Sequence, residues 1–161
     1  MIVVSDTSPI INLAAVSHLN LLQALFTEIV IPESVYREIV IGGAGRPGAH
    51  EVQTSGWFKV GRVTDLALLK ILEIHLDSGE AETIALGAEL NSDLLLLDER
   101  RARRIAARLG LRYIGLLGVL IDAKLRGHLP KVKPVLDALV GQAGFWLSSD
   151  LYTRVIQAAG E

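Results

Sequence analysis

The chain contains no cysteine, only two Trp, three Tyr and three Phe, and no apolar run near the roughly 18 to 20 residues needed to cross a bilayer. Without cysteine there is neither a disulfide nor thiolate chemistry. The shortage of aromatic rings leaves little for base stacking, so any nucleic-acid recognition is expected to rest on backbone and shape. A strong charge of either sign is missing as well: 16 basic residues face 18 acidic ones, for a net charge of −2. That balance argues against a generally basic coat and leaves room only for a local patch. His18, His50, His75 and His128 do not form a metal-ligand spacing, and "DTSP" stands where a glycine-rich phosphate fingerprint would follow the first strand. The first residues lack the basic start and apolar core of a secretory signal, so a cytoplasmic protein without membrane association is expected.

The apolar half of the composition is nonetheless ample for a core, and 161 residues without repeat, low-complexity tract or linker read as a single domain, 1–161. Short strand-like runs at residues 2–5, 28–31, 93–97 and 111–114 are separated by stretches with helical spacing. This alternation predicts an α/β fold with a central, mainly parallel sheet covered on both faces. Ser8 and Pro9 suit the N-cap and first turn of a helix reaching about residue 16. Five glycines and a proline in residues 42–56 predict a loop. A weak edge strand is expected around "WFKVGRV", and helices over 66–76, 80–90, 116–125, 133–140 and 150–159.

Two of the strands end on a carboxylate that is followed at once by a helix: "IVVSD", ending on Asp6, and "DLLLLD", ending on Asp98. Ligands of open α/β sheets sit at the carboxyl ends of the strands, so neighbouring strands would aim both groups into one crevice. Their repulsion is relieved by a hard divalent cation, Mg²⁺ or Mn²⁺. The alternative is that each Asp caps the helix after it. Glu38 borders the buried stripe of "ESVYREIV", and Glu80 opens the helix "GEAETIALG"; the alternatives are a surface carboxylate for Glu38 and a capping box with Asp77 for Glu80. Glu82 points away on the same helix and reads as solvated. "ERRARRIAARLGLR" begins beside Asp98 and carries Arg100, Arg101, Arg103 and Arg104, which form either a phosphate track or a solvated face.

In order and spacing, "SDTSPIINL", "IPESVYREI", "SGEAETIALGAE" and "LLLLDERRAR" resemble the PIN-domain family, in particular the PIN-like nucleic-acid-binding branch related to VapC-type toxin ribonucleases. The resemblance implies a three-layer α/β/α fold and a metal-dependent ribonuclease that uses Mg²⁺ or Mn²⁺ to cleave RNA, often as the toxin of a toxin-antitoxin pair. Asp6, Glu38, Glu80 and Asp98 then match the acidic quartet as catalytic and metal-holding residues, and Ser8 the hydroxyl residue that accompanies the first Asp. Arg100, Arg101, Ala102 and Arg103 stand where many active members carry another Asp or Asn, so a second metal would be weakly held. A catalytically weak PIN-like module that binds RNA or a protein partner is the alternative, and a receiver-like phosphoryl-transfer domain ranks below both. Partners on this reading are RNA, an antitoxin protein and a second copy in a homodimer, the apolar helices over 66–76 and 116–125 being the surfaces to be covered.

Overall fold

The computed structural model describes residues 1–161. Five short strands, β1 (Val3–Ser5), β2 (Ile29–Pro32), β3 (Phe58–Gly61), β4 (Leu94–Leu96) and β5 (Tyr113–Ile114), form one sheet in the order β3-β2-β1-β4-β5. Every pairing is parallel. Ten α-helices connect and follow them: α1 (Thr7–Ala15), α2 (Asn20–Phe26), α3 (Glu33–Tyr36), α4 (Ala49–Thr54), α5 (Leu66–Glu73), α6 (Ser78–Glu89), α7 (Arg100–Arg108), α8 (Leu116–Leu125), α9 (Lys133–Gly141) and α10 (Ser149–Ala158). A π-helical turn, Arg37–Ile41, continues α3.

Side chains alternate across the strands and build two cores. Val3 and Leu96 face a larger cluster with Ile10 and Leu13 of α1, Leu22 of α2, Leu120 of α8, Leu136 of α9 and Val155 of α10. Val4, Leu95 and Leu97 face a smaller cluster with Leu72 of α5, Ile84 and Ala85 of α6, and Ala102 and Ala106 of α7. The expected α/β/α sandwich is thus formed, and strands buried on both faces explain why "VV" and "LLLL" read as continuous apolar runs rather than alternating ones.

Some local expectations are corrected. Residues 42–56 are not all loop, because Ala49 and Val52 are buried and α4 forms around them. The glycines ahead of it act as a turn, with Gly45 and Gly48 at φ 79° and 96°. Burial of α4's apolar face outweighs the glycine-rich composition that predicted otherwise. The strand expected over 111–114 shrinks to two residues at the sheet edge. β3 does lie at the opposite edge, as "WFKVGRV" led us to expect. No helix is long and apolar enough to cross a membrane. Of the two apolar helices, α8 turns Leu116, Val119, Leu120 and Ala123 into the core, whereas Leu66 and Ile71 of α5, and Ile74 at its C-cap, stay exposed.

The functional consequence is topological. From β1 the chain proceeds outward through β2 to β3, and it later returns to the other side of β1 to build β4 and β5. The helices after β1 cover one face and α7, after β4, covers the other. The sheet therefore has its switch point between β1 and β4, where a crevice opens at the strand ends. With Ser5 in register with Leu96, the residues just past both strands meet there.

Candidate functional site

Six carboxylates line one open cavity of about 430 Å³ at this switch point: Asp6, Glu38, Asp77, Glu80, Asp98 and Glu99. Thr7, Ser8, Ile11, Phe145 and Trp146 complete the wall, and no basic side chain is among them. All four acidic residues anticipated from the sequence are therefore present in one place. Asp77 and Glu99 were missed as members, the first because it reads as a helix cap and the second because Asp98 beside it absorbs the strand-end signal.

Asp6 is the centre of the problem. Only 8% of its surface is exposed. It occupies the N-cap position of α1 but makes no side-chain capping bond, which overturns the capping alternative for Asp6 and equally the N-cap expectation for Ser8, which lies inside the helix. Burial, opposed only by the Thr7 backbone N–H and reinforced by the charges of Asp77, Glu80 and Glu38, pushes its carboxyl up to about 7. No basic group offsets that cost.

The neighbours are held by local structure. In the π-helical turn the Gly42 N–H donates to the Arg37 carbonyl at 2.8 Å, and within that widened turn Glu38 Oε2 accepts from Thr7 Oγ1 at 2.8 Å. Turns of this kind are enriched at functional sites. Asp77 and Glu80 form the capping box anticipated as an alternative: Glu80 N–H donates to Asp77 Oδ1 at 2.8 Å and Asp77 N–H to Glu80 Oε2 at 3.3 Å. That box does not remove Glu80 from the cavity; burial and then the Asp77 charge raise its carboxyl above the usual range. Glu99 is the true N-cap of α7, accepting from Ala102 N–H at 2.8 Å. Burial works against its charge, but the Arg101 and Ala102 N–H groups and the nearby Arg101 and Arg104 hold its carboxyl below the usual range. Glu82 is not simply solvated as expected: it is half-buried and accepts from Ser34 N–H at 3.4 Å, outside the cavity.

Asp98 has a different character. Its Oδ1 accepts from Leu116 N–H at 2.8 Å, at the start of α8, and lies 3.7 Å from Arg103 Nη2, while Oδ2 accepts from Ser8 Oγ at 3.2 Å. Ser8 is oriented in turn by Asn12 Nδ2 at 3.1 Å. Asp98 thus ties α1, α7 and α8 together beneath the site. Losing a charged acceptor costs about 1.5–3 kcal/mol per bond, so Asp98→Ala should lower stability by about 2–3 kcal/mol in chelator, where no metal contributes; an unchanged chelator melting curve would show that these bonds hold nothing together.

The arginine helix divides by role. Arg103 is drawn inward, its Nε donating to the Leu97 carbonyl at 2.7 Å and its guanidinium lying 5.5 Å from the Tyr113 ring centroid. Arg101 donates to the His75 carbonyl at 3.3 Å, and Arg100 and Arg104 are exposed.

As the side chains stand, no three acidic or histidine groups are gathered tightly enough to hold an ion. Their aim nevertheless fits one. Around the point that a Cβ on Gly79 would occupy, Asp6 Oδ1 lies at 2.9 Å, and Asp77 Oδ1 and Glu38 Oε2 at 3.6 Å each. Three carboxylate oxygens thus converge beside the Gly79 Cα, where a side chain would push them apart, and an all-oxygen anionic donor set is what Mg²⁺ and Mn²⁺ prefer.

A family model described as a PIN domain matches residues 2–161. Comparison with curated proteins finds no match.

Proposed function

Because the chain belongs to the PIN-domain family, whose members are typically nucleases that use divalent metals, we propose that it is a metal-dependent endoribonuclease using Mg²⁺ or Mn²⁺. The observation that carries this reading is the buried, uncompensated Asp6 among five further carboxylates with no basic side chain in the cavity. In this assignment Asp6, Glu38 and Glu80 hold the cation and its water shell, joined by Asp77. Asp98 completes the acidic wall and keeps Ser8 and the start of α8 in place. A cation bound there supplies an activated water and charge stabilisation for phosphodiester hydrolysis. The N-terminal amides of α1, beside Asp6, favour a phosphate at the same spot.

Substrate charge must be met outside the acidic wall. Arg100, Arg101 and Arg104 are the exposed cations nearest to it on α7 and are the proposed phosphate track, with Arg103 acting through Asp98 and Leu97 as a brace. Changing Arg100, Arg101 and Arg104 together to Gln should reduce the slope of log affinity against log salt by about 2 for single-stranded RNA. Mn²⁺ affinity should stay nearly intact. An unchanged slope would return α7 to a solvated face.

The finer reading, a toxin related to VapC-type ribonucleases, goes with the exposed Leu66 and Ile71 on α5 and Ile74 at its C-cap, an apolar face suited to an antitoxin or a second copy in a homodimer. The rival, a PIN module that binds without cutting, is favoured by the untightened carboxylates and by arginines where another acidic residue would stand. Incubation of the protein with end-labelled single-stranded RNA and Mn²⁺ separates them. Internal cleavage that stops on adding chelator supports the nuclease, and retained binding with intact RNA supports the rival.

A further inference from the structure

Beside the acidic cavity lies a second one, lined mainly by apolar side chains but carrying three arginines. This cavity, of about 630 Å³, is walled by Arg100, Arg103, Tyr113, Trp146 and Arg154, and it shares Asp98, Phe145 and Trp146 with the acidic one. The two cavities thus meet at a common wall, with carboxylates on one side of it and arginines on the other. The arginine-bearing cavity falls in the range of roughly 300–1,000 Å³ typical of small-molecule sites.

Trp146 stands on the ridge between them. It is 83% exposed, more than any other large apolar side chain of the chain. A rigid indole left in water beside free cations has the composition of a base-stacking platform. Arg103 is already engaged with the Leu97 carbonyl, Asp98 and Tyr113. Arg100 and Arg154 form no ion pair, so their charge is free for an external anion.

We propose that this arginine-bearing cavity binds the nucleotide next to the scissile phosphate of single-stranded RNA, its base stacked on Trp146 and its outer phosphate between Arg100 and Arg154. The proposal rests on the reading of the acidic cavity as an RNA-cleaving centre and adds the residues that set the path of the strand. A single strand is required, because the faces of a base inside a duplex are covered by its stacked neighbours and leave none for the indole. With only eight aromatic residues in the chain, stacking was not expected; what matters is that one of them is exposed where the two cavities meet.

Anisotropy titration of a labelled single-stranded hexanucleotide RNA, in chelator so that nothing is cut, tests this on the full chain. Trp146→Ala should weaken binding about tenfold, while Trp146→Phe keeps most of it. Arg154→Gln should lower the log-log salt slope by about 0.7. Melting and Mn²⁺ affinity should be unchanged in all three, since an exposed indole supports little of the core. If Trp146→Ala binds the hexanucleotide as the parent does while the parent still cleaves RNA, the proposal falls and the nuclease reading stands. Weaker binding by Trp146→Ala in a protein that never cleaves RNA supports the subsite and removes the nuclease. A parent that binds no RNA in chelator overturns the proposal, and the nuclease reading falls with it only if the parent also fails to cleave RNA with Mn²⁺. Sedimentation showing that Trp146→Ala turns a dimer into a monomer, with RNA binding unchanged, assigns the face to a second copy and overturns the proposal.

Discussion

Replacing Asp6 by Asn is expected to abolish metal-dependent RNA cleavage and yet to leave the metal-free protein at least as stable as the parent. The two effects share one cause. Asp6 is buried, and its carboxyl is pushed up from 3.8 to about 7 by that burial and by the Asp77, Glu80 and Glu38 charges. A raised acid keeps its proton in the folded chain while the unfolded chain has already released it. Stability in chelator therefore falls as pH rises from about 4 to about 7 and levels off above, by which point the ionised group has cost on the order of 4 kcal/mol. Asn removes this loss and gives back about 1–3 kcal/mol through its own poorly paired amide, for a net gain on the order of 1–3 kcal/mol at pH 8. Melting curves from pH 4 to 8 in chelator check it. The parent should lose stability across the window and the variant should lose much less; parallel curves would mean that Asp6 is not an uncompensated buried charge.

The second large effect is expected at a residue with no functional group. Gly79→Ala keeps every carboxylate but puts a methyl where Asp6 Oδ1 stands 2.9 Å away and Asp77 Oδ1 and Glu38 Oε2 stand 3.6 Å away. Mn²⁺ affinity should fall at least about tenfold, a loss of about 1.4 kcal/mol. Within α6, alanine gains up to about 1 kcal/mol of helix propensity over glycine. That gain offsets the new contact with Asp6, so the chelator melting point should move little. The pH dependence just described should persist, because Asp6 remains. Isothermal titration of Mn²⁺ into Gly79→Ala tests the claim, and parental affinity would show that the carboxylates crowded by this methyl are not the ones that hold the cation.

How far these residues were visible in the sequence depends on the range of the interactions that place them. Asp6 and Asp98 were legible because each ends an apolar run, and β1 and β4 pair directly. Their separate fates were not. Whether a strand-end carboxylate is bonded or bare depends on partners such as Leu116 and Ser8, and the Leu116 amide comes from a helix 18 residues further on. Glu80 shows that two readings set against each other can hold together, since it belongs to the capping box and to the cavity wall. Asp77 was hidden behind that same box. Glu38 sits on a π-helical turn, which leaves no trace in a 3.6-residue pattern, and α4 follows a glycine-rich turn whose composition masks two buried residues. Trp146 was invisible as a site residue because exposure is set by how the α9-to-α10 connection meets the cavity, not by local spacing.

The central claim is that a divalent cation resolves the charge of Asp6. Calorimetric titration of Mn²⁺ into the parent and into Asp6→Asn, both folded by their melting curves, tests it most directly. The account predicts a saturable binding heat in the parent that is lost in the variant, together with a metal-induced rise in melting temperature seen in the parent alone. Equal Mn²⁺ binding by the two proteins would contradict it.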